Sequence, residues 1–189
     1  MQKSLKFIIV TSGLMLTLCA CRSVVYSDPL DAPGGRVPVE SQLQLHQQLY
    51  FQPGYSRSFI QSGKALTYQQ LDRYQPFCQF YRYEPPQALE TVRSLQPDTF
   101  RVTKSFLEIE SGMPGFSVMI SLGSLGMRNS HGLQNLSSVL KLESLVQPEI
   151  VELRCSDYNE PLHWNYLSVN QIKAVLGSIA TLRLFPASE

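Results

Sequence analysis

The sequence predicts a mainly β domain, α+β at the margin: a single antiparallel β-sandwich or barrel-like unit with one C-terminal helix packed on it. Three observations lead there. Short runs recur in which apolar and polar residues alternate with a period of two, the signature of a half-buried antiparallel strand. Breakers separate them at Pro53-Gly54, Pro85-Pro86, Pro97-Asp98 and Gly112 to Gly115. One segment near the C-terminus carries helix start and stop signals that agree with each other.

In chain order, the strands expected are Gln42 to His46, Phe77 to Tyr81, Phe100 to Val102, Phe116 to Leu122, Ile150 to Cys155 and Ala180 to Phe185. In the fourth, Phe116, Val118, Ile120 and Leu122 share one face; in the fifth, Val151, Leu153 and Cys155 do. Ala88 to Leu95 reads as a short helix. The C-terminal helix is expected over Val169 to Leu176. Ser168 and Gln171 form a capping box, Leu167 and Ile172 are spaced as a hydrophobic staple, and Gly177 suits a left-handed stop. Its stripe of Val169, Ile172, Val175 and Leu176 asks for a sheet to pack on.

Before the domain lies a different kind of sequence. Lys3 and Lys6 give a positive start, and Phe7 to Ala20 carry no charge over 14 residues, the order of an export signal. That run is shorter than the ~20 residues a membrane-spanning helix needs. It ends Leu18-Cys19-Ala20-Cys21, which resembles the lipobox of bacterial lipoproteins: an aliphatic residue, a small residue before the cut, and the cysteine after it. Cys19 departs from the commoner small or aliphatic residue at its position. The resemblance implies cleavage after Ala20, lipid on the Cys21 thiol and acylation of the new amino group. Two or three acyl chains hold a protein stably at a bilayer where one does not. Arg22, in place of Asp, implies transfer to the outer membrane by the same resemblance. The chain thus divides into a signal (residues 1–20), a lipidated N-terminus and flexible tether rich in Pro and Gly (21–40), and a globular domain (41–189).

Removing the signal takes 16 basic residues to 14 against 15 acidic ones, a formal charge of −1. Nucleic-acid binding depends on clustered positive charge, so it is not expected; the membrane is reached through lipid, not through a basic patch. With Cys19 gone and Cys21 lipidated, Cys78 and Cys155 remain, and in an oxidising compartment they are expected to form one disulfide between strands or sheets.

Catalytic, metal and cofactor motifs are not found. His46, His131 and His163 are dispersed, Ser121 to Ser130 with His131 and Asp157 lacks a nucleophile elbow, and neither cysteine has a second ligand at metal spacing. Ser111 to Ser138, rich in Gly, Ser and Asn, reads as a long loop whose adaptable Met113, Met119 and Met127 are candidates for contact with a protein partner. The aromatic cluster from Tyr50 to Tyr83 reads as core and strand faces, with an exposed binding surface as the sharper alternative. Two functions follow: an accessory or structural module of a cell-envelope assembly, or a binding module for a small apolar, lipid or glycan ligand.

Overall fold

The computed structural model describes residues 28–83, 85, 90, 92–111, 134–159 and 165–186. Its strands are β1 (Gln42–Leu45), β2 (Leu49–Phe51), β3 (Arg57–Gln61), β4 (Lys64–Leu66), β5 (Phe77–Arg82), β6 (Arg93–Leu95), β7 (Asp98–Ser111), β8 (Gln134–Glu143), β9 (Ile150–Asn159) and β10 (Ala180–Arg183), with helix α1 (Val169–Leu176) before the last. Eight strands form one antiparallel sheet in the order β10-β1-β7-β8-β9-β5-β3-β4, curled into a half-barrel; β2 and β6 pair separately. The mainly β fold with one packed C-terminal helix is therefore the fold adopted.

Alternation explains the core. Leu43 and Leu45, Phe100 and Val102, Leu140 and Leu142, Leu153 and Cys155, Cys78 and Phe80 are buried from consecutive strands of the sheet and form one cluster with Val169, Ile172, Val175 and Leu176 of α1. The helix touches β10 at one edge of the sheet and β3 and β5 near the other, so it fills the concavity the curl creates. Leu49, Phe51 and Leu95 of the small β2–β6 sheet join the same cluster. The helix begins as expected: the Gln171 backbone N–H donates to Ser168 Oγ (3.1 Å) and the Ser168 N–H donates to Gln171 Oε1 (2.8 Å).

Cys78 and Cys155 stand opposite each other in the β5–β9 ladder and are joined by a disulfide, both fully buried. The bridge thus ties neighbouring strands of one sheet.

Four expectations change. Arg93–Leu95, read as the end of a helix, is strand β6: Leu95 is buried opposite Leu49, and that tertiary pairing overrides the local helix formers. Of the segment read as a loop over 111–138, Ser111 belongs to β7 and Gln134 to Ser138 belong to β8, where Asn135 and Ser137 on one face and Ser138 on the other blur the alternation; residues 112–133 lie outside the described residues. The tether read over 21–40 is docked from Asp28 onward. Asn170 Nδ2 donates to Asp28 Oδ2 (3.1 Å) and Asp31 Oδ1 (2.8 Å), Val37 is buried, and the Glu40 N–H donates to Val102 O (2.9 Å). The aromatic cluster divides: Phe51, Phe59, Phe77 and Phe80 are core, while Tyr50, Tyr74 and Tyr83 are exposed. The signal, Cys21 and the strand expected over 116–122 lie outside the described residues.

The convex face carries a second apolar cluster of Phe59, Phe77 and Tyr158 and, beside it, a tightly knit polar network. Glu152, buried, accepts from Lys141 Nζ (2.5 Å) and Arg154 Nε (3.0 Å), while Arg154 Nη2 reaches Glu108 Oε2 (2.9 Å). The Arg57 and Arg154 guanidinium groups both lie over the Tyr81 ring. Five strands, β3, β5, β7, β8 and β9, are linked by this network. Its charges answer one another, so it reads as a structural tie and not a reactive centre.

Candidate functional site

Antiparallel order puts the β8–β9 turn at the end of the half-barrel where β7 begins. The turn is built from the inside. Ser144 Oγ accepts from the N–H groups of Val146 (3.0 Å) and Gln147 (3.1 Å) and donates to Asp98 Oδ2 (2.5 Å). The buried Gln147 side chain donates to Gln96 O (3.0 Å) and Asp98 Oδ2 (3.1 Å) and accepts from the Gln96 N–H (2.8 Å). With Ser144 and Gln147 turned inward and fixed at both ends, the two residues between them have only solvent to face. Leu145 is 99 % exposed and Val146 76 %.

A mixed polar and apolar groove lies beside this tip. Leu145 and Phe185, itself exposed, line this groove of about 510 Å³ together with Glu40, Gln42, Thr99, Arg101, Glu143 and Ser144. Part of its lining is an ion triad in which Arg101 donates to Glu40 Oε1 (2.8 Å) and to Glu143. Those two carboxylates, Glu143 foremost through its hydrogen bond and charge, push the Arg101 pKa up, so the triad carries one fixed cation between two anions. On the other side of the turn, the Tyr83 N–H donates to Glu149 O (2.8 Å) and its ring is exposed. Exposed leucine, valine, phenylalanine and tyrosine around a turn held rigid by buried hydrogen bonds make a preordered surface for apolar contact.

The candidate residues read from sequence are distributed unevenly. Cys78 and Cys155 are brought together; Cys21, Met113, Met119 and Met127 lie outside the described residues, as do His131 and His163. His46 is exposed and shares a hydrogen bond with Thr181 Oγ1 (2.7 Å). Among the described residues, His, Cys, Asp and Glu form no cluster able to hold a metal, and no helix is long and apolar enough to cross a membrane. The tip itself was missed. Ser144-Leu145-Val146-Gln147-Pro148 has the turn residues, yet two apolar side chains in a turn look in sequence like the end of a buried strand.

No known family model, curated protein or solved structure matches the chain.

Proposed function

We propose that this chain is a lipid-anchored protein of the bacterial cell envelope, attached through Cys21 to the periplasmic face of the outer membrane, whose half-barrel serves as a binding module for an envelope protein. The observation that carries the reading is the Leu145–Val146 tip: buried Ser144 and Gln147 keep two apolar side chains in water, and a protein partner is what removes that exposure. The lipobox-like Leu18 to Cys21 supports the anchor, and the Cys78–Cys155 disulfide agrees with an oxidising compartment. The small-ligand alternative has less support, because Phe80, Phe100 and α1 occupy the concave side of the sheet where such a ligand would sit.

Cys21→Ser is expected to move the protein from the membrane to the soluble fraction and to remove the acyl mass from its N-terminal peptide. Membrane retention with an intact mass differing only by the substitution would sink the anchor. For the tip, a photo-crosslinking residue at position 145 in native envelopes is expected to capture one stoichiometric protein. Leu145→Asp with Val146→Asp should abolish recovery of that protein in a pull-down while leaving stability within about 0.5 kcal/mol, since both positions are on the surface. The same protein recovered at the same yield from the double variant would remove the tip from the proposal.

A further inference from the structure

We infer that the docked segment 28–40 sets how the domain sits on the bilayer: the face around Asp28, Pro33 and Asn170 lies toward the phospholipid surface, and the Leu145–Val146 tip is held away from it. The inference rests on the proposed anchor at Cys21.

Segment 28–40 runs alongside β7 away from the tip. Glu40 is hydrogen-bonded at Val102, while Gly34 lies against Leu107 and Tyr166, with a φ of +70° and room for a Cβ only 3.2 Å from Leu107 Cδ1. Asp28 and Asp31 are latched to Asn170 of α1, and Val169 next to it packs near Gly35. Leu107 is paired with Ser138, and Leu145 lies seven positions further along that chain. At the rise of a β-strand this puts the tip about 20 Å from Gly34, while Glu40 at the other end of the segment lies beside the tip's groove.

The docked segment shortens the stretch of sequence between Cys21 and the domain. If all of 22–40 were loose, 19 residues would have a typical end-to-end distance of about 24 Å, enough for either end of the domain to meet the bilayer. With docking from Asp28, only residues 22–27 separate the docked segment from Cys21, and six residues reach about 20 Å at full extension. The tip, about 20 Å beyond Gly34, is at the limit of that reach. The end bearing Asp28 therefore stays near the lipid, and the tip is presented to whatever lies across the compartment.

The test uses the full lipidated protein in vesicles of phosphatidylethanolamine and phosphatidylglycerol, with a fluorophore on a single added thiol, Pro33→Cys or Leu145→Cys, both at exposed positions. The native pair is already in its disulfide, which leaves the added thiol for labelling. Quenching by a nitroxide-labelled phospholipid headgroup is expected to be several-fold greater at 33 than at 145. A Gly/Ser insertion of about ten residues after Ser27 should bring the two towards equality by lengthening the stretch between Cys21 and Asp28. Intact mass is read first: absence of lipid on Cys21 overturns the anchor and the orientation with it. Lipid present with equal quenching, or with stronger quenching at 145, overturns the orientation alone. A ratio that ignores the insertion overturns the short tether as its cause.

Discussion

Replacing Cys78 and Cys155 together by alanine is expected to lower the melting temperature by about 10 °C, from a loss of about 2–5 kcal/mol. The bridge joins residues 77 apart in sequence, a loop for which chain-entropy reasoning gives about 4.5 kcal/mol of unfolded-state constraint. Its position adds to the effect. The β5–β9 ladder joins two blocks of the sheet, β10-β1-β7-β8-β9 and β5-β3-β4, so the disulfide sits at the seam between them. Because both cysteines are fully buried, a reductant is expected to reach them only when the seam opens; thiol release and loss of tertiary circular dichroism should then follow one time course. Melting curves of the double-alanine variant and the oxidised protein that coincide would show that the seam holds without its bridge.

How much of this was legible beforehand depends on how locally each feature is encoded. The C-terminal helix was, because Ser168, Gln171 and Gly177 are chemical signals acting within a few residues of the backbone they cap, and its buried stripe follows from spacing alone. The disulfide was as well, since only two cysteines remained once Cys19 and Cys21 had other roles. Strands with one clean apolar face, such as Gln42–Leu45, could be placed to within a residue or two. Others could not. Arg93–Leu95 is a strand because Leu49–Phe51 lies beside it, a fact nowhere in its own sequence. Asp28 reads as linker until Asn170, 142 residues away, is known to donate to it. The Leu145–Val146 tip was hidden for a related reason: what exposes those side chains is the inward turn of Ser144 and Gln147 towards Gln96 and Asp98, which sequence spacing does not reveal.

Gly177→Ala is expected to cost about 3 kcal/mol or more, by strain and overpacking together. Gly177 ends α1 with φ +54° and ψ −129°, a combination open to glycine and strained for any residue with a Cβ. A Cβ there would also lie 2.6 Å from the Cα of Gly63, a backbone atom with no rotamer by which to withdraw. That approach is what closes the half-barrel. Ser62 and Gly63, both at positive φ, make the tight β3–β4 turn, and the Gly63 N–H donates to Val175 O (2.9 Å), so the turn at one edge of the sheet is fastened to the end of the helix that packs on β10 at the other. Gly63→Ala supplies the graded comparison. Its φ of +71° carries the left-handed penalty of about 1–2 kcal/mol, but its Cβ would meet Gly177 Cα at an ordinary 3.4 Å. Urea unfolding should therefore show the midpoint falling by about 1–2 M for Gly177→Ala, and by roughly half as much for Gly63→Ala, at unchanged m. Equal losses would mean that the positive φ matters and the close approach does not, and the helix would then be packed on the sheet edge without being fastened to it.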